Sequence, residues 1–319
     1  MLTFCSVGLV LFWPGSVLVV FYLSIRGKSM KQLFAASVAA TILSTSSALA
    51  LTVTTNTNAS DLANSILGTG VTIISSSYTG AGASGGTFTN GGVIGIDDGI
   101  ILASGDVQDA PGPNQSDGQT TAFGTPGDAD LNALIPQNTQ DAAFLEITFT
   151  TDSGNIFFDY AFASEEYNEF TNSTFNDVFG LFLNGTNIAL IPGTMTPVSI
   201  NTVNGGNPFG TGASNSQFFN NNDLQDGGPF FDIEYDGFTD VFTASGTGLG
   251  TGVNTLKFAI ADAGDQSLDS AIFIKGGSLS DTDPDPDPNP NVVPLPAGFP
   301  LMLAGFGALA MMRRKKKAS

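Results

Sequence analysis

The sequence predicts an all-β protein, a single β-sandwich or jelly-roll-like domain that lies between two targeting segments. Three observations support this fold class. The centre of the chain is rich in Gly, Asn, Thr, Ser, Asp and Phe and poor in Lys, Glu and Leu, which favours strands and turns over helices. Short apolar runs recur there between turn residues. The 26 Phe residues of the chain supply core bulk without disulfide bonds.

An export signal is predicted immediately before this domain. Residues 30–50 have a basic start, a short apolar centre and a small-residue end that contains Ala48 and Ala50. This order is typical of a signal peptide that the general secretion machinery recognises, and we predict cleavage after Ala50. The predicted domain then begins at Leu51 and extends over residues 51–280.

A second apolar segment, residues 1–29, precedes the predicted signal peptide. Because the signal is complete from Met30 onward, we expect translation to begin at Met30, with residues 1–29 being upstream sequence. The alternative is a membrane helix over Leu2–Ile25, which is nearly all apolar and long enough to span a bilayer.

Strands are predicted where apolar or alternating runs are bounded by turn residues. In Phe144–Thr150 the alternation is clear, and it directs Leu145, Ile147 and Phe149 to the core. A turn is predicted at residues 97–99, and hairpin turns are predicted at residues 151–154, 184–185 and 236–237. The predicted strands are Val71–Tyr78, Gly92–Ile96, Ile100–Ala103, Phe144–Thr150, Asn155–Ala163, Val178–Leu183, Thr186–Ile191, Phe231–Tyr235, Phe238–Ala244, Thr255–Ala261 and Ser270–Lys275.

Two short helices are predicted within the domain. Ser60 is placed to cap a helix over Asp61–Leu67, and Gly68 would end it. Residues Asp128–Leu134 are expected to form the other helix, which Pro136 would end.

The charge of the domain is strongly negative. All 29 acidic residues lie between the two targeting segments, with only Lys257 and Lys275 as basic residues, so the exported part carries a charge near −27. Such a surface repels nucleic acid and anionic lipid headgroups, and we expect no nucleic-acid partner. The single cysteine, Cys5, lies outside the domain, which excludes a disulfide or thiol chemistry within it.

A linker and a second targeting segment follow the domain. Residues 281–292 alternate Asp and Pro, which holds the chain extended. Residues 293–319 contain the motif Val293-Pro294-Leu295-Pro296-Ala297, an apolar stretch and a terminal basic cluster, in that order. The roughly 19 residues from the motif to Met312 are just long enough for a transmembrane helix, with the basic cluster on the cytoplasmic side.

This order of features resembles the VPLPA-CTERM variant of the PEP-CTERM sorting signals of exopolysaccharide-producing Gram-negative bacteria. The resemblance implies an exosortase as a partner, with the tail embedded in the inner membrane until it is processed. An ordinary C-terminal anchor helix is the alternative.

Two motif blocks carry a second resemblance. Phe158–Phe170 runs from an aromatic strand into three glutamates and an asparagine, and Lys257–Ile274 contains three aspartates between two apolar strands. With Phe175–Gly180 and Tyr235–Thr239, these blocks resemble the choice-of-anchor L domain family over most of residues 51–280. The resemblance implies an exported domain at the cell surface and implies no particular chemistry.

The acidic residues of the two motif blocks suggest a calcium site. Ca²⁺ prefers oxygen ligands in flexible geometry, and the domain has almost no Lys or Arg to neutralise buried carboxylates. On a strand, two adjacent glutamates would point to opposite faces. The alternative is a set of solvated and turn-forming acids. The predicted ligands are Glu165, Glu166, Asp177, Asp262, Asp265 and Asp269.

Enzymatic activity is not predicted. The sequence contains no histidine, which excludes His-dependent catalysis and His-ligated metals. Glycoside hydrolysis by two carboxylates is the remaining enzymatic alternative, and no sequence feature pairs two of them. A carbohydrate-binding module is a further alternative, in which aromatic side chains stack on sugars or else belong to the core. The candidate aromatic residues are Tyr167, Phe170, Phe218, Phe219 and Tyr235.

The sequence therefore predicts an exported structural or adhesive protein that is anchored at the cell surface or associated with the extracellular matrix. We expect calcium to stabilise it and exopolysaccharide or another biofilm component to be its partner.

Overall fold

The computed structural model describes residues 50–250 and 252–283, together with the backbone of Val10–Trp13 and Ser16–Val19. Ala48, the remainder of the linker after residue 283 and the predicted sorting segment 293–319 lie outside the described residues. Among the residues that are described, no helix has the length and apolar character needed to cross a membrane.

The chain divides into two compact units, residues 1–46 and 47–319. In the first unit, β1 (Val10–Trp13) and β2 (Ser16–Val19) pair as an antiparallel hairpin. These two segments are therefore extended, in contrast to the alternative of a membrane helix over Leu2–Ile25.

The second unit is mostly β-structure, as the sequence predicts. Its single α-helix among the described residues is α1 (Ala59–Ile66), and short 3₁₀ turns occur at Gly91–Ile94, Val107–Asp109, Leu131–Ala133 and Ser216–Phe218. Its described strands are β3 (Thr52–Thr55), β4 (Val71–Thr79), β5 (Gly85–Thr89), β6 (Asp98–Ala103), β7 (Thr139–Thr151), β8 (Ile156–Ser164), β9 (Val178–Leu183), β10 (Thr186–Asn187), β11 (Phe219–Asn221), β12 (Gly237–Thr239), β13 (Phe242–Gly246), β14 (Asn254–Ala263) and β15 (Ser270–Lys275).

These strands form two antiparallel sheets. The five-stranded sheet has the order β10-β9-β14-β7-β4. The eight-stranded sheet has the order β11-β12-β8-β15-β6-β5-β3, and β13 also pairs with β8. The all-β sandwich predicted from composition and turn spacing is thus confirmed.

Aromatic side chains join the two sheets. Phe158 of β8 packs on Phe258 of β14 with ring centroids 5.1 Å apart, and Phe162 of β8 stacks on Phe179 of β9 at 5.2 Å. One continuous cluster of buried side chains includes these rings, α1 and the inner faces of both sheets. The prediction that Leu145, Ile147 and Phe149 face the core is confirmed, since all three are buried in this cluster.

The outer faces of both sheets are also covered. Ile101 and Phe273 in the eight-stranded sheet pack under Tyr235, and Ala259 in the five-stranded sheet packs under Leu131. A strand that is buried on both faces has apolar residues at successive positions. For this reason, few of the strands show an alternation of apolar and polar residues in the sequence. All of these clusters lie within residues 51–279, so the domain carries its own core.

Several local predictions from the sequence were wrong. The turn at 151–154 is not a hairpin, because it leads from β7 in one sheet to β8 in the other. Gly92–Ile96 contains a 3₁₀ turn, and Phe231–Tyr235 forms a loop over the outer face of the eight-stranded sheet. The apolar residues of these two segments pack against the face of the eight-stranded sheet, and the segments do not form strands of it. Phe238–Ala244 splits into β12 and β13, and only Thr186–Asn187 of Thr186–Ile191 is a strand.

Of the two predicted helices, only the one at Asp61–Leu67 lies where the structure has an α-helix, α1. Asn58, and not Ser60, caps α1, since its Oδ1 accepts hydrogen bonds from the backbone N–H groups of Ser60 and Asp61 at 3.0 and 3.2 Å. Within Asp128–Leu134 only a short 3₁₀ turn forms. The strands β3, β5 and β11 were not predicted, because they are short and rich in Thr, Gly and Asn.

Several strands begin or end at one end of the sandwich. Ser164, the last residue of β8, lies opposite both Ser270 and Gly237, the first residues of β15 and β12. Val178, the first residue of β9, lies opposite Ala261 near the end of β14. We call this region the acidic end, because the loops that leave these strands carry most of the buried carboxylates described below.

Candidate functional site: buried carboxylates at the acidic end

The acidic end contains carboxylates that are almost fully removed from solvent. Glu165, Glu166 and Asp262 are each 1% exposed, and Asp177 and Asp236 are 0% exposed. An isolated ionised carboxylate is costly to bury unless it is paired, hydrogen-bonded or bound to a metal. The partners of these five groups therefore decide what the region can do.

The two adjacent glutamates enter different surroundings. After Ser164 the chain bends, with the Glu165 N–H donating to the Asp269 carbonyl at 3.1 Å and the Glu166 N–H donating to Ser164 Oγ at 2.9 Å. Glu165 then lies near Asp236, and Glu166 lies near Asp177. The two glutamates thus lie beside two different groups of carboxylates.

The first group, which we call the central cluster, consists of Glu166, Asp177 and Asp262. Asp177 is well held, because its Oδ1 accepts from the Ala263 N–H at 2.8 Å and its Oδ2 accepts from Ser270 Oγ at 2.7 Å. Glu166 Oε2 and both carboxylate oxygens of Asp262 have no hydrogen-bond partner. The cluster therefore retains unused oxygen acceptors in a buried place.

Burial, followed by the repulsion of neighbouring carboxylates, raises the pKa values in the central cluster. The pKa of Glu166 rises to about 10. Burial raises the pKa of Asp177 to about 8 against the opposing effect of its hydrogen bonds. The pKa of Asp262 is also raised well above its ordinary value, by burial and then by Asp177. Without a cation, protonation is the way this cluster avoids adjacent buried charges.

Asp265 and Asp269 lie at the margin of the central cluster. Asp265 is half-buried, and its Oδ1 accepts from the Ser267 N–H at 3.2 Å. Asp269 is buried, and its Oδ2 accepts from the Thr121 N–H at 2.8 Å. Burial raises the pKa of Asp269 to about 7. Both carboxylates add negative charge, and Asp269 also fixes the loop around Thr121.

The second group, which we call the loop cluster, consists of Asp117, Asp223 and Asp236. One carboxylate oxygen of each lies within 4.8 Å of those of the other two. None of these three was predicted from the sequence as a ligand. The sequence predicts a hairpin turn at Asp236, and the other two lie in long Asn- and Gly-containing loops that no local pattern connects.

Hydrogen bonds orient the loop cluster but leave some of its oxygens free. Asn114 Nδ2 donates to Asp236 Oδ1 at 2.6 Å, and Gln225 Nε2 donates to Asp117 Oδ2 at 2.9 Å. The Gln225 N–H donates to Asp223 Oδ1 at 2.6 Å. Asp236 Oδ2 and Asp117 Oδ1 are buried and have no partner. Burial raises the pKa of Asp236 to about 8.

Further free oxygens border the loop cluster. Both carboxylate oxygens of Glu165, Oδ1 of Asn168 and Oε1 of Glu169 are buried without a hydrogen-bond partner. The Asn168 backbone N–H donates to Asp223 Oδ2 at 3.2 Å. Burial raises the pKa of Glu165 well above its usual range, and the nearby Asp236 raises it further. Burial raises the pKa of Glu169 to about 7, with a further contribution from the nearby Asp223.

The lysines of the domain are engaged elsewhere. Lys257 Nζ pairs with Asp128 at 2.5 Å and with Asp130 at 2.9 Å, and Lys275 Nζ pairs with Asp159 at 2.9 Å. Over the described ranges, no Lys or Arg side chain forms an ion pair with either cluster. The donor set of both clusters, carboxylate and amide oxygen without nitrogen or sulfur, suits Ca²⁺.

The aromatic candidates for sugar stacking are mostly internal. Tyr167 is buried, and its hydroxyl donates to the Val203 carbonyl at 2.8 Å, while Tyr235 is buried over the eight-stranded sheet. Phe170, Phe218 and Phe219 are half-buried against other rings. Tyr167 and Tyr235 therefore belong to the core, which is the alternative to sugar stacking that the sequence left open.

Comparison with known proteins gives one match. The family model described as Choice-of-anchor L domain matches residues 51–280, which is most of the chain and nearly all of the described sandwich. No curated protein and no solved structure matches the chain.

Proposed function

The chain belongs to the choice-of-anchor L domain family, and from this premise we propose that it is an exported structural or adhesive protein of the cell surface that Ca²⁺ stabilises. Family membership supports a location at the cell surface or outside the cell. We further propose that exopolysaccharide or another matrix component is its partner, and that an exosortase processes segment 293–319 after export.

The burial of carboxylates without cationic partners is the observation that carries the calcium part of this proposal. Glu166 Oε2 and both oxygens of Asp262 remain without hydrogen bonds beside the fully buried Asp177. A bound Ca²⁺ supplies the missing positive charge and accepts about six to eight oxygen ligands. An exported protein meets this ion at higher concentration than a cytosolic one does, so the cation is available where the domain functions.

The same burial argues against catalysis by these acids. A glycosidase needs two carboxyls that a sugar can reach, about 5 to 9 Å apart. Glu165, Glu166 and Asp177 are almost completely inaccessible. A described groove of about 340 Å³ lies elsewhere, over Ser76, Glu146 and Lys257. We therefore propose a structural role for the buried acids.

Thermal unfolding of residues 51–283 tests the role of calcium. We expect the midpoint in low-millimolar Ca²⁺ to exceed that in chelator by about 5 °C or more, because an ion that binds only the folded state stabilises it by mass action. The matched control is the same titration with Na⁺ at equal ionic strength. An equal midpoint in chelator and Ca²⁺ would remove calcium from the proposal.

A genetic experiment tests the structural or adhesive role independently of calcium. Deletion of the gene in its native host is expected to reduce cell aggregation or to change matrix composition, and the full chain should restore both. A chain that lacks residues 293–319 serves as the control for anchoring, since it should be exported but should not restore aggregation. Unchanged aggregation and matrix after deletion would reject the role.

Glycan binding is a second candidate function, supported by exposed aromatic rings. Phe209 and Phe230 are 47% and 60% exposed, unlike the aromatic residues that the sequence suggested. Exposed rings of this kind can stack on sugar faces. Binding of the host exopolysaccharide to the wild-type domain and to a Phe209→Ala/Phe230→Ala variant would test it, and equal retention of both would exclude stacking by these rings.

A further inference from the structure

We propose that Asp117, Asp223 and Asp236 form a Ca²⁺ site that connects the loops at the acidic end. The site deepens the proposed function, on which it rests for the extracellular setting that supplies calcium. Its three aspartates are not among the six residues predicted as ligands, although Glu165 at its border is, and it is separate from the central cluster of Glu166, Asp177 and Asp262.

The spacing of the three aspartates fits a single cation. Oxygen ligands of Ca²⁺ lie about 2.3–2.6 Å from the ion, so two ligands on opposite sides are separated by roughly 5 Å at most. The closest carboxylate oxygens of the three aspartates are all within 4.8 Å of one another. An ion placed among them can therefore contact all three without a large movement of the backbone.

A second observation, independent of the three acids, comes from the polar groups around them. Asn168 is 2% exposed, and its Oδ1 has no hydrogen-bond partner, although its Nδ2 donates to Asn221 Oδ1 at 2.8 Å, to Asp226 Oδ2 at 3.0 Å and to Asp223 Oδ2 at 3.5 Å. Its backbone N–H is bonded to Asp223, so the residue is fixed against the cluster. A buried amide oxygen without a donor is rare, and a cation or an ordered water is the kind of partner that such an oxygen binds.

Glu165 and Asp236 point to the same conclusion. Both oxygens of Glu165 and Oδ2 of Asp236 are buried and unpartnered, and the two carboxyls interact with each other. A proton shared between the two carboxyls would partner one oxygen of each and would leave the second oxygen of Glu165 without a partner. Three aspartates with additional carboxyl and amide oxygens supply enough ligands for Ca²⁺, and ordered water can complete its coordination.

The site would connect parts of the chain that are distant in sequence. Asp117 belongs to the loop before β7, whereas Asp223 and Asp236 lie at either side of the loop between β11 and β12. Hydrogen bonds already join these loops at the cluster, from Gln225 Nε2 to Asp117 Oδ2 and from Asn114 Nδ2 to Asp236 Oδ1. The second loop also presents the exposed ring of Phe230, so bound Ca²⁺ would fix the position of an exposed aromatic side chain.

Calcium titration of residues 51–283 by calorimetry, with Tb³⁺ luminescence excited through tyrosine as a second probe, tests the site. The domain folds around its own core, and Tyr167 and Tyr235 are adjacent in sequence to Asn168 and Asp236. We expect saturable Ca²⁺ binding that displaces Tb³⁺, with Mg²⁺ at least 10-fold weaker. A D223N/D236N variant should bind Ca²⁺ at least 10-fold more weakly than the wild type.

Three further variants separate the possible outcomes. Asp152→Asn removes an exposed acid from a distant turn and should leave Ca²⁺ affinity unchanged. Asp117→Asn changes a half-buried loop residue, so it should fold even if the double variant does not, and it should also weaken binding at least 10-fold. Wild-type affinity in both D117N and D223N/D236N would overturn the site. If those variants still gain thermal stability from Ca²⁺ whereas D177N/D262N does not, calcium acts at the central cluster alone and the proposed function stands without this site.

Discussion

At the residue scale, the chemistry of the domain is decided by where its acids are buried. Asp152 and Asp223 are the same residue type and both lie in Asn- and Gly-containing stretches of the sequence, yet the first is exposed and the second is 1% exposed. Removal from solvent, and then repulsion between neighbouring carboxyls, raises pKa values at the acidic end. These groups therefore connect protonation to stability, and the proposed calcium binding would act on the same groups.

The pH dependence of stability in chelator follows from these shifted pKa values. Asp236 has an ordinary pKa of 3.8 and a folded-state pKa of about 8, so between these values the folded state binds a proton that the unfolded state lacks. The free energy of unfolding must then fall as pH rises through this interval. We expect the unfolding midpoint in chelator to be several degrees lower at pH 8 than at pH 5.

Saturating Ca²⁺ should remove or reverse this trend, because a bound carboxylate stays ionised and binds the metal more strongly as pH rises. Calorimetric unfolding at pH 5, 6, 7 and 8, with and without Ca²⁺, measures both effects. A midpoint in chelator that rises from pH 5 to pH 8 would contradict the assigned burial of these acids.

Core aromatic residues should contribute most to stability among single side chains. Phe162 is fully buried and packs against Phe179 and Tyr167, so Phe162→Ala should lower the free energy of unfolding by about 3–5 kcal/mol. Phe230→Ala makes the same chemical change at an exposed position and should cost less than about 0.5 kcal/mol. Urea denaturation of the two variants provides the comparison, and equal losses would contradict the packing described.

At the element scale, strand positions follow local sequence better than strand partners do. Asn184-Gly185 forms the predicted hairpin, with Leu183 of β9 opposite Thr186 of β10. The turn at 151–154 has a similar composition but carries the chain to the other sheet. Turn residues specify a reversal of the chain, whereas the sheet that receives the next strand depends on which apolar faces remain to be covered.

The cap of α1 offers a test at the scale of one element. Asn58→Ala removes the acceptor for two backbone N–H groups and should destabilise the domain by about 1 kcal/mol. Ser60→Ala, at the position that the sequence suggested as the cap, should change stability by less than about 0.5 kcal/mol. Chemical denaturation distinguishes the two, and a larger effect at Ser60 would show that the helix begins later than Ala59.

At the scale of the whole molecule, side-chain hydrogen bonds join the long loop before β7 to the loop between β11 and β12. The loops that contain Asp117 and Phe230 pack on the acidic end, where the loop cluster is expected to hold a cation. Chymotrypsin should therefore cleave after Phe230 faster in chelator than in Ca²⁺, because local opening exposes the chain. Cleavage after Phe209, which is also exposed, provides an internal comparison. If chelator accelerated cleavage equally after Phe209 and after Phe230, the whole domain would be opening, and the loop that contains Phe230 would not be released locally.

The ends of the chain give a prediction for the exported protein. If residues 30–50 are a signal peptide, the mature protein should begin at Leu51, which mass spectrometry of the exported chain can determine. Leu51 is buried in the core that covers the eight-stranded sheet, so cleavage after Ala50 would leave that core intact. A mature terminus well inside the domain would contradict the predicted boundary.

The sequence by itself determined the fold class, the extent of the domain and the family resemblance that the family match supports. These properties depend on composition, on turn spacing and on contiguous motifs, which are local and therefore visible in one chain. Only the tertiary structure decided which acids meet. Asp117, Asp223 and Asp236 come from separate loops without shared periodicity, and their proximity results from strands that end together at one end of the sandwich. Burial, which shifts their pKa values and leaves their oxygens unpartnered, is likewise a property of packing that no segment possesses alone.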